Sequence, residues 1–135
     1  MKKKSKILSA VLLVFVCVAT ICTTAFAGNS YSGFNHDVPK FNDAVETSRQ
    51  TKAVTSRSGQ IIFDYVGGGY KVDCRMVDQE DNRGAWVYNL VSGSDELLPS
   101  RASHTAGEKV HVYISSKLTT PVDVHVYGDW RSDYH

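Results

Sequence analysis

The sequence predicts an all-β protein: an antiparallel β-sandwich of about six to eight strands behind a cleaved N-terminal signal helix. Three observations predict it. From about residue 52 onward, apolar and polar side chains alternate with period two, as in strands with one side in a core and one in water. Turn-forming clusters separate these runs at short intervals. No long amphipathic helical pattern occurs between them, and the runs are crowded with β-branched and aromatic residues, which suit a pleated, half-buried surface.

The N-terminus reads as an export signal. Met1-Lys2-Lys3-Lys4-Ser5-Lys6 is a basic n-region, Ile7 to Ile21 an apolar run, and Ala25-Phe26-Ala27 an A-x-A cleavage signal, so the mature chain is expected to start at Gly28. A membrane anchor is the competing reading, because 7–27 is just long enough to cross a bilayer. Thr20, Cys22, Thr23 and Thr24 weaken its far end, and the cleavage signal follows at once. Bulky Val16 and Ile21 stand before Cys17 and Cys22, which argues against lipidation of either cysteine.

Cleavage changes the charge. Of 15 Lys+Arg, Lys2, Lys3, Lys4 and Lys6 leave, so 11 remain against 14 Asp+Glu and the mature chain is near −3. That balance lacks the basic footprint of a nucleic-acid or anionic-lipid binder, and no membrane association is expected after cleavage. Of the 135 residues, the 108 left after removing 27 suit a single domain. Cys74 is then the lone cysteine, so no intrachain disulfide is expected. Its place in an apolar alternation predicts a buried, inert thiol.

Residues 28–51 read as a polar N-terminal arm, with the sandwich domain at 52–135. Phe41, Ala44 and Val45 have helical spacing, and Pro39 behind Asp37 suits a first helical turn. One or two helical turns, or an extended arm lying along the domain, are the two expectations.

The strands follow in order. Ile61, Phe63 and Tyr65 alternate with Ile62, Asp64 and Val66. Tyr70, Val72, Cys74 and Met76 share one face of the next run, with Lys71, Asp73 and Arg75 on the other. Trp86 to Leu90, Val110 to Ile114 and Val122 to Val126 complete the set, with Lys52 to Ser56 and Ala102 to Thr105 as weaker candidates. Gly67-Gly68-Gly69 could suggest a phosphate loop, but such a loop leads into a helix and carries Lys-Ser/Thr. Here a strand pattern follows, so the glycines are expected to form a hairpin tip. Trp130, after the last strand, is expected to cap one end of the core with its indole N–H bonded at the rim.

The most suggestive chemistry lies in the last two strands. With the valines and Ile114 inward, His111 and Tyr113 face outward on one strand, and Asp123, His125 and Tyr127 on the other. If these strands pair around Lys117 to Pro121, the five residues share one exposed face. Pairing His111 with His125 puts Tyr113 beside Asp123; a slip of two pairs His111 with Tyr127 and Tyr113 with His125. Such a face could stack on sugar rings or a partner protein. Two imidazoles and a carboxylate could also take zinc or copper, although ordinary wet-face residues have the same composition, and no metal or other cofactor is assigned.

"DQEDNRG", Asp78 to Gly84, gathers three carboxylates, as calcium loops do. It fails the EF-hand template, with Arg83 where glycine is needed and Asn89 where glutamate should close the shell, so a solvated turn is expected. There is no G-x-S-x-G, H-E-x-x-H or C-x-x-C. No enzyme activity is expected.

The order of signal peptide, polar arm, "GGGYKV", "AGEKVHVYI" and "VHVYGDW" resembles that of small exported Gram-positive proteins, many of them uncharacterised. The resemblance implies a β-sandwich and an exported life, and carries no functional residue. A remoter likeness is to lactococcin-972-type bacteriocins, also small, exported and free of disulfides. This chain departs from them in its longer, acidic mature part. The expected function is a secreted, non-catalytic module binding a cell-envelope component, an extracellular protein or itself. A bacteriocin-like protein and a small secreted hydrolase are the alternatives.

Overall fold

The computed structural model describes residues 29–135. The expected signal peptide and its cleavage site, Ala25, Ala27 and Gly28, lie outside the described residues. Within them the chain is all-β, with nine strands in two antiparallel sheets: β1 Ser32–Val38, β2 Ala44–Glu46, β3 Gln50–Thr51, β4 Gly59–Val66, β5 Val72–Asp78, β6 Val87–Leu90, β7 Asp95–Leu98, β8 Lys109–Ser116 and β9 Val124–Arg131. Sheet A runs β1-β9-β4-β7; sheet B runs β2-β8-β5-β6, with β3 also on β8.

The inner faces meet in one core. Phe34, Val38, Ile61, Phe63, Leu98, Val124, Val126 and Trp130 come from sheet A, and Val72, Cys74, Met76, Leu90, Val110, Val112 and Ile114 from sheet B. Phe34 and Phe63 meet edge to face at 5.2 Å, the arrangement their ring quadrupoles favour. Both oppose Gly128 in register. A Cβ there would lie 1.9 Å from the Ile62 carbonyl oxygen, so only glycine fits. Cys74 is buried and free, and burial pushes its thiol pKa up, as expected of an inert core cysteine.

Several expectations change. Residues 32–51 are not an arm ahead of the domain: β1 pairs along its whole length with β9, and β2 and β3 pair with β8. Phe34 and Val38 are core residues. Their spacing fits helix or strand equally, and the pairing partner decides. Phe41 is 55% exposed in a turn at φ 60°, not on a helix. Lys52 to Ser56 and Ala102 to Thr105 are loops, whereas Asp95–Leu98, not among the expected strands, forms β7. Trp130 is wholly buried, and its Nε1 has no hydrogen-bond partner among the described residues, so it does not cap the rim.

The glycine triplet is a turn but not a hairpin tip. Gly67–Gly69 forms a 3-10 turn that carries the chain from β4 in sheet A to β5 in sheet B. Gly68 sits at φ 64°, where a Cβ would also meet the Tyr70 ring at 2.9 Å. Among the described strands, only β5 and β6 are consecutive in sequence and hydrogen-bonded to each other.

Two polar devices close the core. Lys52 and Asp133, both with side chains out of water, pair at 3.0 Å. The ammonium also donates to the Arg57 carbonyl at 2.6 Å and the Ser132 carbonyl at 2.7 Å. The Ala53 and Val54 N–H groups donate to the carboxylate at 2.8 and 3.2 Å. The loop after β3 is thereby fixed to the C-terminal tail. Buried His104 donates from Nε2 to the Asn82 carbonyl at 2.8 Å, and its Nδ1 accepts from the Arg101 N–H. Such complete satisfaction is what burial of polar groups requires.

Candidate binding face

The five residues singled out from the sequence do not assemble. β8 and β9 lie in different sheets and share no pairing. His111 and Tyr113 belong to the outer side of sheet B, His125 and Tyr127 to the outer side of sheet A, and Asp123 to the loop between. The inward valines of the two strands face each other across the core instead of lying side by side. Alternation gives the buried side of each strand, and that side is the same whether two strands pair or stack. A zinc or copper site built from His111, His125 and Asp123 is thereby removed.

His111 is also not exposed. It is 5% accessible, with Nε2 3.4 Å from Glu46 Oε1 and neither ring nitrogen hydrogen-bonded. Burial lowers its pKa, against the opposing pull of Glu46, so the ring is neutral at pH 7.

Sheet B instead carries a group the sequence did not single out. β6 projects Trp86, at its start, and Tyr88 outward; β5 adds Asp73 and Arg75, and β8 adds Tyr113. Trp86 lies 6.3 Å from Tyr88 and 6.1 Å from Tyr113 between ring centroids. The Arg75 guanidinium sits 4.2 Å over the Trp86 ring and 5.8 Å from that of Tyr113. Lys117 stands 5.6 Å from the Tyr88 ring and is paired with Asp73 at 2.7 Å. At the border of this face, Arg83 chelates Asp81 through two bonds of 3.0 Å. Arg75 has no such partner. It makes no hydrogen bond or ion pair with any described residue, and its Nε is shielded from water.

The signal for this group was present but masked. Trp86 and Tyr88 have opposite parity to inward Val87, but Asn89, at φ 61°, interrupts the alternation before buried Leu90. Trp86, Tyr88 and buried Leu90 therefore share one parity in the sequence and read as a single inward face.

Sheet A shows the contrasting arrangement. Tyr65 and Tyr127 stack at 5.4 Å with 16° between ring planes, and His125 Nδ1 meets Asp37 Oδ1 at 2.8 Å. A bulge between Phe63 and Tyr65 turns Tyr65 outward, although its parity with Ile61 and Phe63 predicts otherwise. Farther along β9, Arg131 lies between the rings of Tyr31 and Tyr134, at 4.7 and 5.0 Å, and donates to Gln60 Oε1 at 2.9 Å.

The acidic turn is organised by its own backbone. Asp78, 2% exposed, accepts from the Glu80 and Asn82 N–H groups at 2.9 and 2.8 Å and from Asn82 Nδ2 at 2.8 Å. It is thus a buried anchor at the start of a turn whose Gln79, Glu80, Asp81 and Arg83 are exposed, as expected of a solvated turn. Asp78, Glu80 and Glu108 each place a carboxylate oxygen within 4.8 Å of the others, but the Asp78 oxygens are already used in holding the turn.

No protein-family model matches this chain, and no curated protein matches it.

Proposed function

We propose that the chain is an exported, non-catalytic β-sandwich module that binds a glycan of the cell envelope through the outer face of sheet B. The observation that carries this is the gathering of Trp86, Tyr88 and Tyr113 on one side of a sheet, interleaved with Arg75 and the Lys117–Asp73 pair. Aromatic faces stack on the C–H side of sugar rings, while flanking polar groups meet the hydroxyls. Few precisely placed polar groups around apolar surface is the usual design of a small-ligand site.

A protein partner is the less suited occupant. Protein interfaces surround aromatic anchors with an apolar core. Here the other outward positions of β5 and β8 are Asp73, Arg75, Val77, Lys109, His111 and Ser115, and the one aliphatic residue among them, Val77, is buried. Export is supported by the basic n-region, apolar run and A-x-A signal at residues 1–27.

Retention of the purified protein on isolated bacterial cell wall tests the proposal. Trp86→Ala should lose retention about 30-fold, on the order of 2 kcal/mol for a central aromatic contact, with an unchanged melting temperature. Retention of Trp86→Ala at the wild-type level would exclude this face.

A further inference from the structure

The unpaired guanidinium of Arg75 carries the next step. Two cations beside it have an acid: Lys117 has Asp73, and Arg83 has Asp81. Arg75 has none among the described residues, and its Nε is shielded from water with no acceptor among them. A shielded polar atom without a partner is costly and uncommon in native proteins. Burial and the nearby Arg83 both lower the Arg75 pKa; an anion placed there would relieve both effects.

We propose that the sheet B face recognises a carboxylated sugar, a uronate-type residue of an acidic polysaccharide, with the Arg75 guanidinium pairing to the carboxylate beside the Trp86 and Tyr88 rings. It rests on the glycan-binding proposal above and names the ligand class. Arginine presents its N–H donors as a planar fork that matches a carboxylate with two parallel bonds. The Trp86 ring, 4.2 Å from the guanidinium carbon, already covers one side of it. That contact orients the fork before any ligand arrives, so less side-chain freedom is lost on binding. It also selects among anions. A planar carboxylate keeps both oxygens in line with the fork, whereas a tetrahedral phosphate directs further oxygens toward the negative face of the ring. The ring repels those oxygens.

The test uses tetragalacturonate and its methyl ester, which has the same rings without the charge, titrated calorimetrically into the whole mature protein. The acid should bind at least about tenfold more tightly than the ester, the worth of one charge-assisted hydrogen bond. Arg75→Gln should abolish that preference while leaving the melting temperature unchanged. Arg75→Lys, which keeps the charge and loses the fork, should restore only part of it. Equal affinity for acid and ester, an unchanged preference in Arg75→Gln, or tighter binding of poly(glycerol phosphate) overturns the uronate assignment. Absence of binding to either oligomer also overturns it. In each of these cases the glycan-binding proposal survives if Trp86→Ala still loses wall retention, and it falls as well if Trp86→Ala is retained like the wild type.

Discussion

Two arginines, one on each sheet, meet aromatic rings in opposite circumstances. On sheet A, Arg131 lies between Tyr31 and Tyr134 and spends its Nε–H on Gln60, whose amide in turn donates to Asp95 at 2.6 Å. On sheet B, Arg75 lies over Trp86 with no acceptor among the described residues. The first arrangement is closed: it fastens Tyr31 and Tyr134 to the sheet and leaves nothing for a ligand to complete. The second is open. Exposed aromatic residues on both faces look alike in a list of side chains, and the hydrogen bonds of the neighbouring cation tell them apart.

Substitutions can break or sharpen this contrast. The largest effect should come from removing what both faces share. Asp133→Ala strands the Lys52 ammonium inside the protein and should cost about 3–5 kcal/mol, measured by urea unfolding; a loss below about 1 kcal/mol would show the pair to be dispensable. Gly128→Ala should follow, at about 1–3 kcal/mol, because its methyl group meets the Ile62 carbonyl and the Phe34 ring must move. On the faces themselves the effects should separate. Arg131→Gln should lower stability by about 1 kcal/mol and leave wall retention unchanged, whereas Arg75→Gln should do the reverse. Tyr65→Ala with Tyr127→Ala should leave retention intact; a drop matching that of Trp86→Ala would move the binding face to sheet A.

The smallest effects are those of pH. Asp133 is held below its ordinary carboxylate range: burial opposes this, but the Ala53 N–H, the Lys52 ammonium and the Ser132 hydroxyl outweigh it. A depressed carboxylate stabilises the fold above its unfolded pKa, near 3.8, and loses that contribution as the pH falls through the lower folded value. Acid unfolding should therefore begin below about pH 4. His111 adds a shallower slope. Its folded pKa lies below the ordinary 6.5, so in that window the unfolded chain binds the proton more readily. Stability should rise with pH up to about 6.5, and His111→Gln should flatten that rise, as read from melting temperatures between pH 5 and 7.

Much of the fold was legible because burial alternates along each strand. Val72, Cys74 and Met76, like Val110, Val112 and Ile114, point inward as their parity requires. What alternation does not encode is the neighbour. Among the described strands only β5 and β6 pair as neighbours in sequence, so the turn at Gly67–Gly69 and the loop before Val124 looked like hairpins and are crossings between sheets. Long-range pairing of this kind depends on which distant strand fits beside which, and that information is spread over the whole chain. The candidate site was lost for the same reason. His111 is buried by the strands beside it, and His125 is carried to the opposite face. Arg75 and Trp86 become neighbours because β5 pairs with β6 around an irregularity at Asn89.

The chain's two tryptophans make the most direct measurement possible. Trp86 lies on the outer face of sheet B and Trp130 in the core beneath sheet A. In a nitrogen-15 NMR titration with soluble cell-wall polysaccharide, the Trp86 indole N–H and the Arg75 Nε–H resonances should move together, while those of Trp130 and of the Tyr65, His125 and Tyr127 amides stay in place. Movement of the β9 amides with the Trp86 indole unmoved would contradict the account.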